Sequence, residues 1–186
     1  MSTVGMNGAS ESPSVASGAA AGADEAPTFN LARYQDERVI HELIRTARTV
    51  AIVGLSPNPL RPSYFVGYYL QRHGYRVVPV NPKERAILGE TSYPSLAAIP
   101  FAVDVVDVFR APAAVPAIAR EAVQIRAKAL WCQFGVISPE GAEIAERGGL
   151  TVVMDRCMKV EHARFLGRMH WMGFNTGLIT GQRLPA

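Results

Sequence analysis

The chain has 186 residues, of which 48% are hydrophobic and 19% charged, as expected for one globular domain with or without a tail. The sequence contains no run of 18 or more apolar residues, so a membrane-spanning helix is not predicted. Two cysteines are too few for a disulfide framework or a zinc site. The formal net charge is +3 at pH 7.

The N-terminal segment differs in composition from the rest of the chain. Sixteen of residues 1–26 are Ala, Gly or Ser, and none is aromatic, Lys or Arg. Such a segment buries too little apolar surface to offset the entropy of ordering it, so residues 1–30 are predicted to form a disordered tail. The segment also lacks the basic start and Leu-rich stretch of a secretory signal, which makes the cytoplasm the expected location.

The charge is unevenly distributed along the chain. Residues 1–30 contain three acids and no base, so the remainder has 19 basic and 13 acidic side chains, or +6. A basic excess of this kind attracts a polyphosphate ligand or a nucleic acid. Because there is no run of Lys and Arg, nucleic acid is the weaker interpretation and is not predicted as a partner.

From residue 35 onward, helical and strand-like patterns alternate. Apolar residues at every third or fourth position predict helices, and short apolar runs predict strands covered on both faces. In chain order we predict a helix at 35–48, a strand at 49–54, a helix at 64–72, strands at 76–80 and 104–109, a helix at 112–126, a strand at 129–134, a helix at 139–147, a strand at 150–154 and a helix at 160–169. Residues 87–99 are mixed, and a small strand and one helical turn are expected there.

This alternation predicts the fold class. Strands that alternate with helices of this length form βαβ units, so we expect a Rossmann-type, doubly wound parallel α/β sheet of about five strands flanked by helices. Pro79 favours a strand end or an edge position for the second strand. The domain is expected to cover residues 31–175, followed by a C-terminal tail at 176–186.

The loop after the first strand has the features of an anion site. In open α/β sheets, ligands bind beyond the carboxyl ends of the strands, where the strand order switches. Gly54 permits close approach of a phosphate, and the next helix offers free N–H groups to it. Ser56, Arg61 and Ser63 add polar or charged donors, although an N-cap role explains Ser63 equally well. The loop lacks G-x-G-x-x-G and Gly-Lys-Ser/Thr, which argues against an ordinary NAD or FAD site and against a P-loop nucleotidase.

The second strand ends in Asn81-Pro82-Lys83. A typical NAD site has an Asp or Glu here that holds the ribose hydroxyls. An amide and a cation in its place favour a phosphorylated ribose, which both NADP and coenzyme A (CoA) carry. The alternative is that Asn81 and Pro82 simply form a turn.

Later strand ends supply four more candidates. Phe109 is placed to stack on an adenine and Arg110 to pair with a phosphate. Gln133 and Gly135 offer an amide and a bare backbone to the same crevice. Cys132 and Trp131, within an apolar strand, are expected in the core.

Two residues follow the last strand. Cys157, close to Lys159 and a helix N-terminus, is a candidate redox thiol with a lowered pKa that forms a mixed disulfide with the CoA thiol. The alternative is a buried cysteine in a tight turn. Lys159 either contacts a ligand phosphate or faces solvent.

Other polar residues carry weaker signals. Asp104 and Asp107 flank an apolar strand and are expected to bond loop backbone rather than transfer protons. The histidines at 41, 73 and 170 have no clustered partners, and no metal-ligand spacing occurs, so no metal site is predicted.

Five short motifs occur in order at the strand ends. They are Gly54-x-Ser56-x-x-Pro59-x-Arg61-Pro62-Ser63, Gly74-Tyr75-Arg76-Val77-Val78-Pro79-Val80-Asn81-Pro82, Asp107-Val108-Phe109-Arg110, Trp131-x-Gln133-x-Gly135 and Asp155-Arg156-Cys157-x-Lys159-x-Glu161-His162. Together they resemble the stand-alone CoA-binding domain (YccU-like) proteins, which are related to the CoA-binding domain of the succinyl-CoA synthetase alpha subunit. The resemblance covers about residues 35–175.

This resemblance implies a ligand but no reaction. It implies CoA binding, with the diphosphate at the first loop and helix and the adenosine 3′-phosphate near Asn81 and Lys83. In the ligase relatives, acyl transfer requires a further domain with a phosphorylatable His, and the chain ends soon after its last strand, so that chemistry is not expected.

The sequence therefore predicts a protein that binds CoA or acyl-CoA and senses, carries or protects this ligand without catalysis. The rival predictions are an NADP-using oxidoreductase or acyl-transfer subunit, and a regulatory module that reads a nucleotide. A homodimer contact or an unidentified protein partner is compatible with the aromatic pair Tyr68-Tyr69.

Overall fold

Short runs rich in Val, Ile and Ala form the centre of the molecule, as a parallel sheet between two layers of helices. The computed structural model describes residues 29–167. Most of the predicted N-terminal tail (1–30), the end of the predicted domain (168–175) and the predicted C-terminal tail (176–186) lie outside these described residues.

The strands and helices follow the predicted order. The strands are β1 Thr49–Val53, β2 Arg76–Val80, β3 Ala86–Ile87, β4 Glu90–Thr91, β5 Val105–Val108, β6 Ala129–Cys132 and β7 Thr151–Val153. The α-helices are α1 Glu37–Thr46, α2 Pro62–Arg72, α3 Val115–Gln124, α4 Pro139–Arg147 and α5 Met158–Phe165. Three 3-10 turns cover Leu31–Tyr34, Leu96–Ala98 and Pro112–Ala114.

The main sheet has five parallel strands in the order β2-β1-β5-β6-β7, whereas β3 and β4 form a separate antiparallel hairpin. The chain builds outward from β1 in one direction and then from β5 in the other. This order is that of a doubly wound fold, and its switch point lies between β1 and β5. The predicted fold class is confirmed, and Pro79 lies in an edge strand.

Side-chain alternation along the strands divides the core between the two faces of the sheet. Val50 and Ile52 pack beneath α1, α2 and α5, whereas Ala51 faces the layer of α3 and α4. Both faces are apolar because helices cover both, as the continuous apolar runs predict. Within residues 29–167, no helix is long and apolar enough to cross a membrane.

Helices α2 and α5 each start two residues earlier than the sequence predicts, whereas α1 and α3 start two and three residues later, at Glu37 and Val115. Helix α2 begins at Pro62, two residues early, because proline suits a first helical position, whose N–H would have no intrahelical partner. Helix α5 begins at Met158 rather than 160, so Cys157 occupies its N-cap position.

The contact between α3 and α4 depends on a glycine. A Cβ at Gly141 would lie 2.5 Å from Val115 Cγ1 and 3.1 Å from Ser138 Oγ. Gly141→Ala is therefore expected to lower the free energy of unfolding by about 1–3 kcal/mol in urea denaturation, although alanine favours helix. In a Val115→Ala background the clash is removed, and the cost should fall. An equal cost in both backgrounds would contradict this packing.

Candidate ligand-binding site

The carboxyl ends of β1 and β5 lie side by side, with Val53 paired to Val108. From there β1 continues into α2 on one face, and β5 continues into α3 on the other. Such a switch point opens a crevice in which ligands bind. A cavity of about 280 Å³ lies at this point, between the ends of β1 and β2, residues 94–96 and the start of α3.

Four of the predicted site residues line this cavity together: Gly54, Asn81, Pro82 and Arg110. They come from three separate strand ends, so the sheet order brings them to one place. The remaining predicted residues do not line it. They lie on the first loop, in the exposed turn after β2, on the opposite face of the sheet, in the loop after β6, or at the start of α5.

Gly54, at the end of β1, lets the end of β5 come into close contact with it. Its φ is +88°, and an added Cβ would lie 3.0 Å from Arg110 Cδ and 3.2 Å from the Phe109 carbonyl oxygen. A side chain at this position would be strained by the backbone and would collide with Arg110. Glycine therefore allows the arginine stem to lie against the backbone at the cavity edge.

The first loop, residues 54–63, is held by its own hydrogen bonds. The Ser56 N–H donates to Ser63 Oγ at 3.1 Å, and the Asn58 N–H donates to Ser56 Oγ at 3.2 Å. Asn58 Oδ1 in turn accepts from the Leu60 N–H at 2.9 Å. Ser63 is therefore not the N-cap of α2, because Arg61 occupies that position and Ser63 bonds the loop instead.

Asn81 joins the second strand end to the first loop. Its Nδ2 donates to the Leu55 carbonyl at 2.9 Å, and its Oδ1 accepts from the Lys83 N–H at 3.0 Å. Asn81 and Pro82 therefore form a turn, as one interpretation of the sequence proposed, and they also line the cavity, as the other required. The Lys83 side chain is exposed beside them.

Phe109, Gln133 and Gly135 do not meet in the cavity. Phe109 packs against the core beneath α1, α2 and α5, which is the face opposite α3. Gln133 is 4% exposed, and its Nε2 donates to both carboxyl oxygens of Asp107, at 2.8 and 3.0 Å. Gly135 lies in an exposed loop, where its N–H donates to Asp155 Oδ1 at 2.8 Å.

The two candidates after β7 also lie away from the cavity. Burial raises the pKa of the Cys157 thiol and outweighs the Val160 and Lys159 backbone N–H groups, so the expectation of a lowered pKa is wrong. Lys159 Nζ lies 4.5 Å from the ring centroid of Phe65 on α2. Trp131 and Cys132 are fully buried, as expected.

The buried carboxyl of Asp107 is the main feature that the sequence interpretation missed. Asp104 does bond backbone, accepting from the Arg48 and Thr49 N–H groups at 2.8 and 2.9 Å. Asp107 instead lies within β5, fully buried, and its side-chain partner is Gln133. Burial raises its pKa to about 7, against the lowering effect of hydrogen bonds from Gln133 and the Val108 backbone. In the sequence, the signal that could have revealed this buried carboxyl is an aspartate inside an otherwise apolar strand.

A second buried titratable group lies between α2 and α5. His162 Nδ1 is 3.1 Å from the Tyr69 hydroxyl, and its ring lies 4.8 Å from that of His73. Burial, helped by His73, lowers the pKa of His162 to about 4. His73 therefore has clustered partners, contrary to the sequence interpretation. Among residues 29–167, no group of three or more His, Cys, Asp or Glu side chains could hold a metal ion.

Asp107 and His162 give stability opposite pH dependences. The folded pKa of Asp107 lies above the ordinary 3.8, so its contribution is complete below about pH 4 and is lost as pH rises to about 7. The folded pKa of His162 lies below the ordinary 6.5, so its contribution is complete above about pH 6.5 and is lost as pH falls to about 4. Between about pH 4 and pH 6.5, the loss of stability from Asp107 and the gain from His162 as pH rises therefore oppose each other.

Asp107→Asn should remove only the first slope. The unfolding free energy of the variant, minus that of the wild type, is expected to rise between pH 5 and pH 7 by up to about 1.4 kcal/mol per pH unit. Urea denaturation of both proteins at pH 5, 6, 7 and 8 measures this difference. A difference that stays constant over this range would show that the carboxyl does not titrate as its burial predicts.

Gly54 and Gly135 form a matched pair for testing the contact with Arg110. Both have positive φ, +88° and +75°, but an added Cβ at Gly135 would meet nothing within 4 Å. Gly135→Ala is therefore expected to cost about 1–2 kcal/mol of unfolding free energy from backbone strain alone. Gly54→Ala should cost more because it adds the collision, and equal losses in urea denaturation would contradict the close approach.

Comparison with known proteins places these features in a family. A model described as a CoA binding domain matches residues 48–163. The uncharacterized protein YneT of Bacillus subtilis (strain 168) is 37% identical over 124 residues, 67% of this chain and 92% of that protein. A hypothetical protein from Pyrococcus horikoshii OT3 is 39% identical, with a TM-score of 0.69 over 71% of this chain and 93% of that one. Cell-free ID.343 from Thermus thermophilus is 35% identical, with a TM-score of 0.67 over 70% and 99%.

The matched segment contains all five strands of the main sheet and every strand end that borders the switch point. It includes the four residues that line the cavity together and the loop held by Ser56 and Ser63. The chain belongs to the CoA binding domain family.

Proposed function

We propose that this protein binds coenzyme A or an acyl-CoA at the switch point and senses, carries or protects this ligand without catalysing a reaction. The observation that carries the proposal is a set of unpaired cations at the cavity and on the segments that lead away from it: Arg110 lines the cavity, Lys83 follows the lining residue Pro82, and Arg61 ends the first loop. Arg61, Lys83 and Arg110 are exposed, and none has an ion-pair partner among residues 29–167. Three cations held near one cavity suit the three phosphates of CoA.

The cavity fits the adenosine part of this ligand. Val53, Leu96 and Ile118 give it apolar walls, and Asn81, Arg110 and Glu121 supply polar groups. An apolar slot with a few polar groups is typical of a nucleotide-base site. In this arrangement the 3′-phosphate lies beside Asn81 and Lys83, at the end of β2.

The diphosphate then lies over Gly54, between Arg110 and the first loop. The loop is pre-formed by the hydrogen bonds among Ser56, Asn58 and Ser63, so ligand binding need not order it. The first turn of α2 follows directly and offers backbone N–H groups to an anion. Arg61, at the N-cap position, adds a charge at the same place.

The proposal that the ligand is not turned over rests on the candidate catalytic groups at the start of α5, which lie away from the cavity. Cys157 is buried and its pKa is raised, so it is a poor nucleophile at neutral pH. Glu161 is bonded to Arg164 and His162 contacts Tyr69, so these neighbours on α5 are not an acid–base pair.

The binding experiment is a calorimetric titration with CoA, dephospho-CoA, NADP and NAD in one buffer. CoA is expected to bind most tightly, and loss of the 3′-phosphate should weaken binding. Lys83→Gln should weaken CoA binding by about 10- to 100-fold, as for a lost charge-assisted hydrogen bond, and leave dephospho-CoA binding nearly unchanged. Arg110→Gln should weaken both.

Arg72→Gln is the matched control. Arg72 is the last residue of α2, at the amino-terminal ends of the strands rather than the carboxyl ends, and it is exposed. The same loss of charge there should leave CoA affinity unchanged. Binding of NADP or NAD without CoA binding would overturn the proposal in favour of a dehydrogenase-like function. Equal losses in Lys83→Gln and Arg72→Gln would show that only net charge matters.

A further inference from the structure

The carboxyl of Asp107 lies near the strand ends that border the proposed ligand site, but on the face of the sheet that α1, α2 and α5 cover, as for Phe109 two residues later. Asp107 is one residue from the end of β5 and pairs in register with Ile52 of β1 and Trp131 of β6. Two residues further on, at about 7 Å along the strand, Phe109 abuts Gly54. Asp107 is therefore central in the sheet, and its face is the one onto which the first loop leads through α2.

The surroundings of this carboxyl leave its charge nearly uncompensated. Gln133 on the neighbouring strand end supplies one Nε2, which is shared by both oxygens, and the Val108 backbone supplies a further hydrogen bond. Two thiols interact with this carboxyl, and burial raises the pKa of both: Cys157, at the start of α5 on the same face of the sheet, and Cys132 of β6, which packs on the other face. Within residues 29–167, no Lys, Arg or His charge lowers the pKa of Asp107.

The Gln133 amide can form a hydrogen bond with either the ionised or the protonated form of the Asp107 carboxyl. Its NH₂ donates to the ionised carboxylate, whereas its oxygen can accept from the protonated acid after the amide turns over. Both forms are therefore compatible with one packing arrangement. Because the pKa of about 7 lies near neutral pH, a modest change in the local field changes which form is present.

We infer that binding of the phosphorylated ligand is coupled to the uptake of a proton by the Asp107 carboxylate, an inference that rests on the proposed function. The diphosphate brings negative charge above a buried negative charge, and the two oppose each other. The protein relieves this repulsion by taking one proton from solvent onto the Asp107 carboxylate. Gly54, Arg110 and the first loop bind the ligand itself.

The expected size of the coupling follows from Coulomb's law. One further negative charge at about 10 Å, with an effective dielectric constant of about 20, favours the protonated acid by roughly tenfold. The pKa of Asp107 should then rise by about one unit when the ligand binds, and CoA affinity should fall by roughly tenfold as pH passes upward through both values. At pH 7.5 this corresponds to an uptake of about half a proton per ligand.

The test is calorimetric titration with CoA at pH 7.5 in HEPES and in Tris, whose ionisation enthalpies differ. The dependence of the observed enthalpy on the buffer gives the number of protons taken up. The wild type is expected to take up about half a proton, and Asp107→Asn about none while still binding CoA. At this pH the ligand's own phosphate monoester, with a pKa of about 6, is already ionised and contributes little.

Glu42→Gln is the matched control, because Glu42 is an exposed acid on α1 that pairs with Arg45 and lies away from the crevice. It should retain the wild-type proton uptake. A second readout needs no variant: the ¹³C signal of the Asp107 carboxyl, titrated with and without CoA, should show a higher pKa in the complex.

The outcomes separate this inference from the proposed function. CoA binding without proton uptake, or uptake that persists in Asp107→Asn, would overturn the coupling and leave CoA binding standing. Absence of CoA binding in the wild type would overturn the proposed function and this inference with it. An unchanged carboxyl pKa in the CoA complex would overturn the coupling even if Asp107→Asn fails to fold.

Discussion

Gly54 is where β1 leaves the sheet, and the absence of a side chain there determines how close the neighbouring strand end can come. With φ at +88°, the backbone turns away from the sheet while Arg110 and the Phe109 carbonyl lie against it. This contact joins β1 to β5 at the switch point and sets one wall of the cavity. The first loop and the start of α3 then diverge to opposite faces, and Asn81 joins the end of β2 to the same loop.

Much of the fold was predictable because each strand is a short apolar run and each helix has a periodic apolar face. Helix α4 was predicted with its observed limits, since Ser138, Pro139 and Gly148 mark its ends. For residues 87–99 the sequence predicted a small strand and one helical turn; the turn is present at Leu96–Ala98, but the strand proves to be a hairpin of two two-residue strands, which carry no periodicity. The site was predicted in part: Gly54, Asn81, Pro82 and Arg110 meet because strand ends converge. Phe109 faces the opposite side of the sheet, as alternation from Arg110 could have indicated.

Burial, rather than the sequence neighbours of a group, accounts for what the sequence could not show. Lys159 and a helix N-terminus near Cys157 predicted a low thiol pKa, yet the thiol is buried and its pKa is raised. Asp107 was expected to bond loop backbone, but its carboxyl lies inside β5, where the Gln133 amide and the Val108 backbone of the strand itself bond it. In both cases desolvation depends on what packs over the group, and residues far apart in the chain provide that packing.

The ion pairs among the described residues leave some cations with an acid partner and others without one. Lys128 pairs with Asp104 and Arg120 with Glu140, whereas Arg72, at the far end of α2, has no ion-pair partner among the described residues. Around the cavity, Arg61 and Lys83 have no ion-pair partner among the described residues. A bound anion would relieve the mutual repulsion of Arg61, Lys83 and Arg110, so the position of these cations supports the proposed phosphate site. Asp107 has hydrogen bonds from the Gln133 amide and the Val108 backbone, but burial still favours its protonated form, and a bound anion nearby would favour that form further.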